Sequence, residues 1–398
     1  MSWSRADGAA PATSTRSFAE CLTAFHAWHE DPNGAARAFG AEGGKVVGIA
    51  SPHVPRELIA AAGLFPAVLA SDSREPTEMG DRYMEPIFDG PVRSLFDRTI
   101  RGRFDFADLL IMPRCGEGYL QLYYFLSEVR RWEPRTANLN LYLFDLLHTP
   151  NWTTGRYVRG RMDDLRARLE LLAERTIADD DIALELRSTN AQARLLREVN
   201  ALRRAIPARL SGVDALRIFA SSGWTPQSAH MDLCRALLAA SPDAAPLHGV
   251  RVMVKGSPHD TTQFYQLVEN LGAVIVADDH LSGERLHTVL ADEDAAPVQA
   301  LAQKYHLRMP SIRSYPQAEQ DRIFLDMVEA ASVQAVIFFH EENDDTLGWD
   351  YPDQKRALDR RGIPSIYLKK QSWRCPEVKA QQEAVRDLIA RARGTAAA

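Results

Sequence analysis

Apolar residues in this chain recur in two rhythms that alternate along its length. Short unbroken apolar runs at 46–49, 67–69, 109–113 and 139–144 have the length and composition of strands buried on both faces. Between them, the patterns at 55–62, 91–101 and 117–131 follow helical spacing, so strand and helix alternate as a parallel sheet requires. Ahead of them a disordered tail is expected over 1–16. Phe18, Cys21, Leu22, Phe25 and Trp28 then predict helix within 17–39. From 154 to 240 the pattern turns helical throughout. Met162, Leu165, Leu169 and Leu172 make one stripe, and Leu184, Leu186, Leu195, Leu196 and Val199 a second. Met231, Cys234, Leu237 and Leu238 make a third. These are packing faces, so Cys234 reads as a small buried hydrophobe. After a Pro- and Gly-containing linker at 240–249, the alternation resumes. Strands are expected at 250–255, 273–277, 335–339 and 365–368, and helices at 259–271, 297–331 and 352–361. An amphipathic helix over 376–393 closes the chain. The expected class is α/β, with two Rossmann- or flavodoxin-like parallel-sheet domains joined by a helical region. The divisions are 1–39 (tail and helix), 40–153, 154–245 and 246–398.

Composition narrows the function. The 398 residues allow two or three domains with large cores, at 45% hydrophobic and 25% charged. A net charge of −6 argues against a nucleic-acid or membrane-surface partner. Four scattered cysteines fit a reducing cytoplasm better than a disulfide framework. No apolar run approaches the roughly 20 residues that span a bilayer.

Candidate chemistry gathers where strands end. After the 46–49 run the chain breaks at Ser51–Pro52 and starts a helix near Pro55, with Glu57 in the first turn. Ser51, His53 and Glu57 are therefore candidate catalytic residues, suited to hydrogen-bonding a carbonyl or moving a proton. A serine-nucleophile triad is rejected because the GxSxG elbow is absent. Lys255-Gly256-Ser257-Pro258 follows a strand and precedes a helix. Gly256 and Ser257 could cradle a phosphate or carboxylate, or simply form a tight turn. The acidic loop His340-Glu-Glu-Asn-Asp-Asp345 follows another strand and could hold a cation or stay solvated. Tyr119, Tyr123, Tyr124 and Phe125 are mostly helix core, with room for one or two to line an acyl pocket.

The segment VPRELIAAAGLFP (54–66) resembles the signature of the 2-hydroxyacyl-CoA dehydratase and benzoyl-CoA reductase family, in its small, D-component-like subunits. FDGPVRSLFDRTIRGRFDFADLLIMPRCGEGYLQLYYFL (88–126) is similar to that family's cysteine segment. Residues 250–285 resemble its second-domain start, and residues 336–368 its last strand–loop–helix–strand. WDYPDQ (349–354) is closer to the benzoyl-CoA reductase side. The resemblance implies an enzyme subunit acting on a CoA thioester, as a lyase or an oxidoreductase. It implies a heterodimer with a related, cysteine-complete subunit, or a homodimer, served by an ATP-dependent activator. It also implies a [4Fe-4S] cluster held by one cysteine from each of three segments. Here Cys115 stands at the middle position, whereas Asp89 and Asp344 stand at the other two. Carboxylates are harder, weaker ligands for such iron than thiolates. Cys115, Asp89 and Asp344 could instead hold a single metal ion, or none. The expected function is thus a family subunit degenerate at its own cluster site. The alternatives are a non-catalytic structural or substrate-positioning partner, and a mononuclear-metal lyase.

Overall fold

The apolar runs become eight strands in two four-stranded sheets. The computed structural model describes residues 16–311, 314–374 and 378–396. The tail before Arg16, and Cys375, lie outside the described residues. The first sheet contains β1 (Val46–Ile49), β2 (Phe65–Val68), β3 (Leu109–Pro113) and β4 (Leu141–Phe144), in the order β2-β1-β3-β4. The second contains β5 (Val250–Gly256), β6 (Ala273–Asp279), β7 (Ala335–Glu341) and β8 (Ser365–Gln371), in the order β6-β5-β7-β8. Every pairing is parallel. The two sheets thus share one topology, and in each the strand order reverses between the first and third strands. Loops leaving the carboxyl ends of strands diverge at that reversal and open a crevice.

β1, β3, β5, β6 and β7 are buried almost throughout, which explains why they read as continuous apolar runs and not as alternation. Boundaries differ from expectation where proline intervenes. β2 starts at Phe65 and includes Pro66, although the apolar run suggests a start at 67. An edge strand tolerates proline because one side of its ladder is unpaired. The 17–39 pattern is two helices, Phe18–Glu30 and Gly34–Ala41, interrupted at Asp31–Pro32–Asn33. The first begins with a capping box between Ser17 and Glu20. The expected 297–331 helix is likewise divided. Pro297–Gln303 runs into a π turn over Lys304–Arg308, Pro310 follows, and Gln317–Ala330 starts after Pro316.

Packing ties the parts together more tightly than a linear division suggests. Helix Phe18–Glu30 packs with Gly212–Ser221 and Gln227–Ala240, burying Cys21, Phe25, Phe219 and Cys234. Leu286, Val298, Leu301, Tyr305 and Met309, expected in the second domain, join Val47, Ile49, Leu58 and Met162 in the core behind the first sheet. Arg374, just past β8, donates to the hydroxyl of Thr77. No helix among the described residues is long and apolar enough to cross a membrane.

Candidate active site

The carboxyl ends of β1, β3, β5 and β7 face one another across a cavity of about 380 Å³. His53 comes from the loop after β1, and Cys115 from the turn between β3 and helix Glu117–Val129. Ser257 follows β5, while Glu341 ends β7 and Asp344 follows it. Asp89, at the start of helix Gly90–Ile100, adds to the wall with Tyr119, Glu117 and Ser311. His53, Asp89, Cys115, Ser257 and Asp344, each singled out from sequence, therefore share one chamber.

Ser51 is buried and belongs to the same network. Its hydroxyl lies 2.9 Å from His53 Nδ1, and the Cys115 thiol donates to Ser51 Oγ across 3.7 Å. His53 Nε2 is 2.7 Å from the carbonyl of Pro310, which can only accept. Nε2 thus carries the ring proton, and Nδ1 accepts the proton of Ser51. Burial, only partly offset by the Pro310 bond, lowers the His53 pKa to about 4, so the ring is neutral near pH 7. With its own proton committed, Ser51 accepts from Cys115, and Tyr119 is its other hydrogen-bonded neighbour.

The opposite wall is acidic. Asp89, Glu117, Glu341 and Asp344 line the cavity, and no lysine or arginine among the described residues does. Glu341 is 8% exposed. Burial, then repulsion from Asp89 and Asp344, lifts its pKa well above the usual carboxylate range. Burial and Asp344 likewise push Asp89 up to about 6. Asp344 is fastened differently. Its Oδ2 accepts the Ser257 hydroxyl at 2.6 Å, and Ser257 Oγ in turn accepts the amide of Glu341 at 3.0 Å. Gly256 does not line the chamber, and its role is backbone. Its φ is +131°, and a Cβ there would stand 2.0 Å from the carbonyl oxygen of Phe339.

Glu57 stands apart from the cavity. Its carboxylate is buried between Lys304 Nζ and the Tyr305 hydroxyl, each at 2.8 Å. Burial raises its pKa, but Lys304 and its other partners outweigh burial and the net direction is down. Those contacts make it a structural ion pair joining helix Arg56–Ala61 to the Lys304–Arg308 turn. Sequence reading does not find Lys304, Tyr305, Pro310 or Ser311. None stands in a recognisable motif, and each reaches its partner only through the fold.

The donor set can be tested against a cubane. Among the described residues one thiol, Cys115, reaches the cavity, whereas Cys21 and Cys234 are sealed in the helical core. Among the same residues, no group of three His, Cys, Asp or Glu side chains is placed to hold a metal ion. One thiol facing several carboxylates does not fit a [4Fe-4S] cluster, whose irons are ordinarily held by thiolates.

The chain is similar to known proteins over most of its length. The (R)-phenyllactyl-CoA dehydratase beta subunit of Clostridium sporogenes is 19% identical over 331 residues, covering 82% of this chain and 86% of that one. A benzoyl-CoA reductase subunit of Thauera aromatica is 23% identical over 303 residues, with 74% and 77% covered. The beta subunit of (R)-2-hydroxyglutaryl-CoA dehydratase from Acidaminococcus fermentans is 21% identical over 345 residues, with 82% and 87% covered. The family described as 2-hydroxyglutaryl-CoA dehydratase, D-component, matches residues 52–376, which include most of both sheets and every wall of the cavity. The chain belongs to that family.

Proposed function

We propose that this chain is a subunit of a 2-hydroxyacyl-CoA dehydratase or benzoyl-CoA reductase-like system, acts on a CoA thioester, and carries no cubane of its own. The observation that supports this best is the convergence of Cys115, Asp89 and Asp344, the three cluster positions the resemblance points to, on one cavity where two are carboxylates. No step is therefore assigned through a cluster in this chain.

Its own residues have narrower tasks. The Ser51 and Tyr119 hydroxyls, with the Cys115 thiol, form a chain of hydrogen-bonding groups ending on neutral His53. Such a chain can hold a proton at His53 Nδ1 or supply one toward a thioester oxygen. Asp89 and Glu341, with raised pKa values, retain protons more readily than ordinary carboxylates and can donate hydrogen bonds to a carbonyl. Ser257 ties Glu341 and Asp344 together and so fixes that wall.

A related subunit with a complete cysteine set and an ATP-dependent activator would supply the electrons. Pairing with that subunit, or with a second copy, would bury roughly 1,200–2,000 Å². The second reading is a non-catalytic half that positions substrate or partner, favoured by the same carboxylate-for-thiolate exchange. Anaerobic reconstitution separates the two. Turnover of a CoA thioester that requires this chain, the cysteine-complete partner and the activator, and that is lost in Ser51→Ala or His53→Asn, supports the catalytic reading. Turnover untouched by those substitutions leaves a positioning role. A monomer that turns over substrate unaided and without reductant removes both, and leaves the mononuclear-metal lyase.

A further inference from the structure

Trp373 Nε1 and His259 Nε2 are buried and have no hydrogen-bond partner among the described residues. Both residues line one small recess, of about 20 Å³, together with Asp260, Phe264, Phe339 and Glu341. The recess borders two larger spaces. Glu341 also lines the first cavity, while His259 and Asp260 also line a second cavity, of about 160 Å³, over the ends of β1 and β2.

Packing holds both rings in place. His259 stacks on Phe264 with 4° between the ring planes, and its centroid is 4.6 Å from that of Phe339. Trp373, just past β8, lies so close to Gly90 that a Cβ there would stand 2.5 Å from its Cγ. Burial, then repulsion from His280, lowers the His259 pKa well below its ordinary value, so the ring is neutral near pH 7. A buried polar nitrogen without a partner is costly, and an ordered water is the usual remedy.

We infer that the recess binds one water, which donates a hydrogen bond to the Glu341 carboxyl and so aims that group's proton into the first cavity. The volume sets the number, since a water needs at least about 10–15 Å³ of such space. The donors on the wall set its orientation. Trp373 Nε1 can only donate, so the water accepts there. Whichever tautomer His259 takes, at least one proton of the water is left for a carboxyl oxygen. Asp260 is already engaged by the amide and hydroxyl of Ser73, at 2.7 and 3.0 Å, which favours Glu341 as the acceptor. Burial, then the neighbouring charges of Asp89, Asp344 and Asp260, make Glu341 keep its proton more readily than an ordinary carboxylate. A bond to one oxygen leaves the other, with its proton, to the cleft. Trp373 and His259 are then positioning residues for Glu341, and what Glu341 serves in the cleft rests on the thioester reading above.

Solution NMR of the full chain detects the water. Of the seven tryptophan indole N–H signals, the one lost in Trp373→Phe should carry a cross-peak to a long-lived bound water. Infrared spectroscopy reads its bond to Glu341. The protonated-carboxyl band that disappears in Glu341→Gln should shift to higher frequency in Trp373→Phe, as the carbonyl loses its hydrogen bond. It should stay in place in Trp132→Phe, an exposed control. Should Trp373→Phe fail to fold, the indole is assigned through the backbone. His259→Phe then replaces it in the infrared comparison, with the same shift expected. An indole proton without a bound water, a band unmoved by the variant that folds, or no band lost in Glu341→Gln overturns the inference. None of these measurements uses a CoA compound, so their failure leaves the thioester reading standing, and reconstitution tests that reading separately.

Discussion

Glu57 and Lys304 are 247 residues apart in the chain and 2.8 Å apart in space. Their pairing fastens the helix after β1 to the turn that leads into Pro310, whose carbonyl holds His53. Lys304→Met leaves a buried carboxylate without its cation and should cost about 3–5 kcal/mol at neutral pH. The sign of the pH effect distinguishes the variant from wild type. In wild type the folded pKa of Glu57 lies below its ordinary 4.5, so its contribution is complete above 4.5 and is lost on further acidification. In Lys304→Met burial prevails and raises that pKa, so acidification from pH 7.5 to 5 should restore part of the lost stability. Urea denaturation at the two pH values measures it, and an equal deficit at both would contradict the assignment.

Asp89 behaves in the opposite sense. Its folded pKa of about 6 lies above the ordinary 3.8, so the folded chain binds the extra proton and stability declines as pH rises between those values. Asp89→Asn keeps the shape without the charge. It should stabilise the protein by about 1–2 kcal/mol at pH 7.5, with the gain vanishing near pH 4. Glu341→Gln should move in the same direction. Thermal melts across that range decide it. A variant less stable than wild type at pH 7.5 would mean that the Asp89 charge is compensated.

Gly256 is required by backbone geometry. With φ at +131° and the Phe339 carbonyl 2.0 Å from any Cβ, Gly256→Ala must push β5 away from β7. A loss of several kcal/mol follows, in the range of strained backbone plus overpacking. Because Ser257 links Glu341 to Asp344, the same substitution should broaden or shift the NMR signals of that loop. Gly256→Ala with an unchanged melting temperature would rule out the backbone role.

How far each feature can be read from sequence depends on the range over which it is determined. β1 and β3 are legible to the residue because fully buried parallel strands write themselves as unbroken apolar runs. Ser51 and His53 stand out because a strand end, a break and a helix start lie within a few residues. Glu57 stands out by the same proximity, and there local reading misleads. Its partners are Lys304 and Tyr305, and nothing within seven residues of Glu57 announces them. The acidic loop at 340–345 is visible, but the repulsion of Glu341 by Asp89 depends on which loops meet across the cleft. The second cavity has no signature in sequence, because its walls come from both sheets' loops and the helical region.

Iron should be missing from the isolated chain even when it is purified anaerobically. No sulfide-to-iron charge-transfer band and no matched iron and sulfide content are expected. One thiol cannot supply the ligands of a cubane, and hard carboxylates are poor substitutes. If exchange of thiolate for carboxylate is the whole reason, it should be reversible. Asp89 and Asp344 already face the same cavity as Cys115, so Asp89→Cys with Asp344→Cys presents three thiols there. Reconstitution of that double variant with iron and sulfide should give the band, and removing the third thiol with Cys115→Ala should abolish it. A cluster in the unmodified chain, lost in Cys115→Ala, would show that other residues complete the site. A double variant that folds but takes up no iron would show that the cavity had changed shape as well as ligands.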